Sequence, residues 1–199
     1  MPSRAKTASY GVVIIRGALY SALLTGLIVP ATAQRAARSP VDTLFVDCPK
    51  DGKPKRVLSP VALSVEGAWW AYVEVNVQSE PCLNTTQLWT GRTNHPYRLV
   101  YRIPPARDLA GNGMEILGWA RNSRTLLVKT EAWQWGSDAL GKQQVLAVDA
   151  GTGVVYEPEL EAMLQGHQGK QCEFRIADAG FSSDKTLVIS DSSEIFYRG

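Results

Sequence analysis

Along most of this chain apolar and polar residues alternate with a period of two, which places successive side chains on opposite faces of an extended backbone. Residues 69–77 (WWAYVEVNV) show it most strongly. Shorter runs of the same kind occupy residues 43–47, 57–63, 86–90, 97–103, 114–119, 125–131, 144–149 and 153–156, and then 174–181, 185–190 and 194–198. Val, Ile, Tyr, Trp and Thr fill these runs, and Gly, Asn, Asp and Pro separate them, so each is predicted to be a short β-strand. Residues 91–96 and 111–113 (Gly111-Asn112-Gly113) read as tight turns. Only residues 158–164 (PELEAML) suggest a helix, with Pro at its start and Gly166 beyond its end. The fold class predicted is all-β, built from antiparallel meander sheets.

The pattern breaks at the amino terminus. Arg4 and Lys6 precede a continuous apolar run over residues 17–29, and Ala31-Thr32-Ala33 supplies a small-x-small site after Pro30. This order is the layout of a secretory signal peptide, expected over residues 1–33 with cleavage after Ala33. The run is shorter than the roughly 20 residues of a permanent membrane span. Membrane contact is therefore expected only through the transient leader, and localisation as periplasmic or secreted. Residues 34–42 read as a flexible lead-in, and residues 43–199 as the folded domain.

Export changes the charge and the redox setting. The full chain carries a formal charge of +2, and the leader removes the three positives Arg4, Lys6 and Arg16. A near-neutral mature chain has no electrostatic pull toward nucleic acid. The basic cluster at residues 50–56 (KDGKPKR) contains Gly and Pro and reads as a solvated loop. Cys48, Cys82 and Cys172 enter an oxidising compartment, where one disulfide and one remaining thiol are expected. Three pairings are open; Cys48 with Cys82 closes the shorter loop and flanks one strand pair, and is the expected one. No metal is expected, because no C-x-x-C occurs and His95 and His167 lie far from any cysteine in sequence.

Three segments repeat: residues 63–73 (LSVEGAWWAYV), 118–128 (GWARNSRTLLV) and 180–189 (GFSSDKTLVI). Each has a strand end, a small polar turn and a strongly apolar strand. In the second unit a further pair of strands meets at Asp149-Ala150-Gly151-Thr152-Gly153, where Asp149 is expected to accept hydrogen bonds from the amides ahead of it. These turns resemble those of WD40-like and TolB-like β-propeller blades, with Ser64-Val65-Glu66-Gly67 a degraded form of the turn before the second strand. The resemblance implies about three blades over residues 57–199, fewer than the roughly four to eight that close a propeller. Residues 43–47 would complete the last unit, or two copies of the chain would share a ring. An open stack is the third arrangement.

Six tryptophans stand out. Trp70, Trp89 and Trp119 fall in or beside predicted strands and read as core; Trp133 and Trp135 alternate near a hairpin tip and form the candidate binding surface. The acids Glu131, Asp178, Asp184, Asp191 and Glu194 fit no catalytic or calcium-binding spacing. No nucleophile elbow, zinc-protease motif or phosphate loop occurs, so no cofactor and no catalytic residue are assigned. Asn84-Thr85-Thr86 matches a glycosylation sequon. The expectation is an exported β-repeat binding module whose partner is a protein or a carbohydrate, self-association included. The alternative is a secreted propeller-like hydrolase using scattered carboxylates.

Overall fold

The computed structural model of the chain describes residues 11–16, 43–105, 110–135, 140–160, 162, 176–183 and 186–191. Twelve strands are placed among them: β1 (Gly11–Arg16), β2 (Lys55–Leu58), β3 (Ala62–Leu63), β4 (Trp69–Gln78), β5 (Leu83–Arg92), β6 (Arg98–Ile103), β7 (Ala110–Trp119), β8 (Thr125–Gln134), β9 (Leu140–Asp149), β10 (Val155–Tyr156), β11 (Ile176–Ser183) and β12 (Thr186–Asp191). The fold is all-β. Among the described residues no helix is long and apolar enough to cross a membrane.

The strands form three open sheets. The first runs β2-β4-β5-β6, with β3 also on β4; the second runs β10-β9-β8-β7; the third runs β1-β12-β11. All neighbours pair antiparallel except β1 and β12. β2 and β3 follow one edge of β4, interrupted at Ser59-Pro60, because Pro60 has no N–H to donate. Ser59 bridges the gap: its N–H donates to Val73 O at 2.9 Å, and its hydroxyl accepts from Val73 N–H at 2.9 Å.

Side-chain alternation decides how the sheets stack. Ala71, Val73, Val75 and Val77 of β4 and Leu88 of β5 meet Met114, Ile116, Leu126, Val128, Leu146 and Val148 of the second sheet in one core. The opposite face of the second sheet sends Leu127 and Val145 against Ile176, Leu187 and Ile189 of the third. The middle sheet is thus covered on both sides, which is why β8 begins TLLV, with no polar alternation. Burying each such aliphatic side chain stabilises the stack by roughly 1.5–3 kcal/mol.

The first two repeated turns share one geometry. In the first, Ser64 N–H bonds Trp69 O and Gly67 N–H bonds Ser64 O; in the second, Ala120 N–H bonds Thr125 O and Ser123 N–H bonds Ala120 O. Gly67 and Ser123 hold the same place with φ of 68° and 53°. The two turns also touch, through Glu66 N–H on Ser123 Oγ at 3.2 Å. The β9–β10 turn forms as its sequence demands. Asp149 Oδ1 accepts from Gly151 N–H at 2.9 Å and Thr152 N–H at 2.7 Å, Gly153 takes φ of 73°, and Arg124 closes an ion pair at 3.0 Å.

Cys48 and Cys82 form a disulfide, with Cα atoms 5.7 Å apart. It ties the segment before β2 to the β4–β5 hairpin and restricts a loop of sequence separation 34 in the unfolded chain.

Three expectations change. Residues 43–47 are not a strand: Leu44 and Val46 turn into the first core, and Phe45 packs its ring on Trp133 at a centroid distance of 4.9 Å. Packing of Leu44 and Val46 on the core outcompetes a ladder here, although Phe45 keeps 62% of its surface exposed. Gly111-Asn112-Gly113 is not a turn but the interior of β7. Its glycines are needed because the Trp133 indole lies across them, and a Cβ on Gly113 would stand 2.7 Å from Thr43 Cγ2. Finally, Asn84 is buried at 1% exposure rather than offered to a glycosylating enzyme. Residues 34–42, Cys172, His167, Asp184 and residues 194–198 lie outside the described residues, as does most of the helix expected over 158–164.

β1 lies inside the segment read as the leader. It runs parallel to β12 from Gly11 opposite Thr186 to Arg16 opposite Asp191. Cleavage after Ala33, if the segment is processed as a leader, would remove that strand and leave the β12 edge unpaired. Backbone amides in Thr186–Asp191 should therefore exchange with deuterium faster in the processed chain than in the unprocessed one. Equal exchange, read by mass spectrometry on the two forms, would count against this pairing.

Candidate functional site

The open face of the first sheet carries the most distinctive surface. With Ala71, Val73, Val75 and Val77 turned inward, period-two geometry turns Trp70, Tyr72, Glu74 and Asn76 outward. Register adds the rest. Trp70 pairs with Leu63 and Gly91, Tyr72 with Trp89, and Glu74 with Leu58 and Gln87; across β5, Leu99 and Arg102 lie opposite Trp89 and Gln87. The face divides into an aromatic half and a polar half.

In the aromatic half, the Tyr72 and Trp89 rings are parallel within 6° at 6.3 Å, and Tyr97 meets Tyr72 edge-on at 4.9 Å and Trp70 at 6.1 Å. Trp70 folds over Gly91, where any side chain would collide with its indole. Leu63, Tyr97 and Leu99 stand around these rings at 55%, 42% and 38% exposure, and Leu58 borders them beside Glu74 at 51%. They are half of the large apolar side chains left exposed among the described residues, and all four belong to this one sheet and its flank. A contiguous apolar patch of this kind marks an interaction surface more often than scattered single residues do.

The polar half is organised around an ion pair. Arg56 clasps Glu74 with two parallel hydrogen bonds of 2.9 and 2.8 Å, and Asn76 Nδ2 adds a third at 2.8 Å. The Arg56 guanidinium is the main reason the Glu74 carboxyl lies below its ordinary value; burial opposes this, and Asn76 assists. Burial and the Glu74 charge raise the Tyr72 phenol, so its hydroxyl stays neutral. A shallow hollow of about 260 Å³ adjoins this half, lined by Arg56, Asn76, Gln78, Leu83, Thr85 and Pro105 among others.

Two depressed carboxyls give a pH dependence of known sign. Partial burial alone would raise Asp149, but the Thr152 backbone N–H, the Arg124 guanidinium and the Thr152 hydroxyl outweigh it and hold it below its ordinary value. Glu74 is lowered for the reasons above. Groups lowered on folding stabilise the fold fully above their unfolded pKa, and that stability is lost as pH falls through the folded value. Urea midpoints should therefore hold steady from neutrality to about pH 5 and drop below about pH 4, with Asp149→Asn and Glu74→Gln each flattening the drop. A profile equally steep in the double variant would contradict this assignment.

The tryptophan pair singled out by sequence behaves differently. Trp133 is 8% exposed, enclosed by Phe45, by Gly111 and Gly113, and by the edge of Trp135 at 5.8 Å. Trp135 is half-buried. The pair is brought together, but only Trp135 retains an accessible side, so the aromatic surface of the molecule is on the first sheet instead. Sequence reasoning assigned Trp70 and Trp89 to the core; the missed signal was strict alternation, which puts Trp70 and Val73 on opposite faces.

Among the described residues the acids are not gathered into one cluster. Glu131 is buried and accepts from Gln143 Nε2 at 2.9 Å, while Gln143 Oε1 accepts from Ile176 N–H at 2.9 Å, joining the second and third sheets. Asp178 Oδ1 accepts from its neighbour Ala179 N–H. Glu115 is occupied by Lys129 across β7 and β8. His95 lies in the exposed β5–β6 turn. Comparison with known protein families, curated proteins and solved structures found no match to this chain.

Proposed function

We propose that the chain is an exported β-repeat module that works by recognition rather than bond-making, in the periplasm or outside the cell. The observation that carries this reading is the open face of the first sheet, where Leu63, Tyr97 and Leu99 surround Trp70, Tyr72 and Trp89, and Leu58 borders them beside the Arg56–Glu74 pair. Leaving so many large apolar groups in water has no benefit unless a partner covers them. Tyr, Trp and Arg are also the residue types that concentrate binding energy in interfaces. The leader layout and the Cys48–Cys82 disulfide support export. The repeated hairpins resemble propeller blades, whose ordinary use is to present surfaces to partners.

The test is site-specific photocrosslinking in the exporting cell. A benzophenone side chain replacing Leu63 or Leu99 should yield an adduct of defined mass, while the same probe replacing the exposed Val154 in the β9–β10 turn should not. Absence of any adduct at both Leu63 and Leu99 would remove the support for recognition through this face.

A further inference from the structure

The sheets of this chain stack face to face, and the stack ends in an uncovered sheet on the β2–β6 side. We infer that a second copy of the same chain covers that face, the two copies packing outer face on outer face about a two-fold axis. This rests on the recognition reading above and names its partner.

Three observations carry it. The first is continuity. The inner face of this sheet already packs on a sheet of similar strand length, and the middle sheet packs on both sides. Apolar sheet against apolar sheet is thus the contact this chain makes twice within itself. Aligned packing of that kind keeps strand directions within about 30° and leaves about 10 Å between sheets.

The second is area. β4 and β5 have ten residues each. β6 has six residues, and β2 with β3 supply six more. At about 3.4 Å per residue and about 4.8 Å per strand, the face covers about 520 Å². Two such faces bury about 1,000 Å² in total, at the lower bound for a specific interface.

The third is self-complementarity. The aromatic and polar halves are separated along the strands, so a two-fold axis parallel to the strands lays aromatic half on aromatic half and polar half on polar half. It exchanges β4 with β5 and β2 with β6. Tyr72 then faces the second copy's Trp89, and Glu74 faces the second copy's Gln87. Arg102 comes opposite the second copy's Leu58, so no two like charges are opposed. Glu74 is already neutralised by Arg56 within its own copy, which lets the polar half approach its counterpart without an unpaired carboxylate. An isologous contact closes on itself and leads to a dimer, not a filament.

The opposite end of the stack offers a poorer match. In the third sheet Ala179, Phe181, Leu187 and Ile189 face the middle sheet, which leaves Gly180 and Val188 at the alternate positions. A Cβ on Gly180 would meet nothing within 4 Å. On β11 and β12 these positions give the aromatic half little to pack on.

The experiment is sedimentation velocity on the full chain, produced with its leader and purified from the exporting cell. A mass of two copies that falls to one on dilution is expected. Leu63→Glu with Leu99→Glu should raise the dissociation constant at least about tenfold, because both side chains are exposed in the single copy and flank the aromatic rings on the two outer sides of the contact. Val154→Glu should leave the dimer intact. Near-ultraviolet circular dichroism checks that the double variant remains folded. A single-copy mass at every concentration, or a dimer unmoved by the double variant, overturns the inference. If the variant does not fold, the Leu99 crosslink decides. An adduct of twice the chain mass supports the dimer. An adduct of any other mass overturns it while leaving recognition standing, and no adduct overturns both.

Discussion

Replacing Asn84 with Ala is expected to destabilise the fold by about 3 kcal/mol. β7 is the edge strand of the middle sheet, so alternate backbone groups on its outer side have no ladder partner. At Asn112 those groups are fully buried. The Asn84 carboxamide takes the place of the missing strand: Oδ1 accepts from Asn112 N–H at 2.9 Å, and Nδ2 donates to Asn112 O. Thr86 Oγ1 donates to the same carbonyl at 2.9 Å, and Asn112 Nδ2 donates back to Asn84 O at 3.2 Å. Truncation leaves the Asn112 N–H with no acceptor in a site closed to water, and also leaves a small void. An unsatisfied buried group of this kind costs more than the net gain of an ordinary hydrogen bond, which is about 1 kcal/mol.

The isosteric change Asn84→Asp should cost more still. It keeps an acceptor for the Asn112 N–H but turns a second acceptor toward the Asn112 carbonyl, and it buries a charge without a counter-ion. In urea melts the Asn84→Ala midpoint should fall by about 1.5 M at unchanged slope. A loss under about 0.5 kcal/mol, the range of an ordinary surface substitution, would show that water or strand movement satisfies Asn112 and that the plug is dispensable.

Gly111→Ala is expected to cost about 3 kcal/mol by the opposite mechanism, too much volume instead of too little. A Cβ at this position falls within the Trp133 indole and 2.7 Å from its Cζ2. Phe45 and Trp135 both pack on the ring and resist its displacement. Gly180→Ala is the control: its Cβ enters open space, and its effect should be within about 0.5 kcal/mol. Combining Gly111→Ala with Trp133→Leu should recover a large part of the loss attributed to Gly111→Ala, because the two side chains compete for one volume. In such a cycle a coupling of about 1–3 kcal/mol is expected. Additive losses in the double variant would place the strain in the backbone and not in the ring.

These two positions also show where sequence reading ends. Gly-Asn-Gly has the composition of a turn, and nothing within several residues contradicts that. The reason it is a strand lies more than twenty positions away, in Trp133, and in Asn84 on a different sheet. Likewise TLFVD has the alternation of a strand, yet Leu44, Phe45 and Val46 are all drawn into packing and the backbone pairs with no ladder. Local propensity is a weak preference, and burial by a distant partner outweighs it.

The aromatic surface fell between these cases. Alternation in residues 69–77 already requires Trp70 and Tyr72 to oppose Ala71 and Val73, but it cannot say which face is covered. That choice depends on the middle sheet, whose apolar strand β8 lies fifty residues downstream and fills the inner side. The Trp133 and Trp135 pair was recognised as aromatic and adjacent, while its enclosure came from glycines on the neighbouring strand.

Local chemistry alone determined the all-β class, most strand positions, the turns with positive φ at Gly67 and Gly153, and the Asp149 turn. Each depends on residues close in sequence or on periodicity within one strand. Which face stays open, which polar groups are sealed between sheets and which glycines must remain glycines were decided only by tertiary packing. A side chain's role there is set by a neighbour that chain order does not reveal.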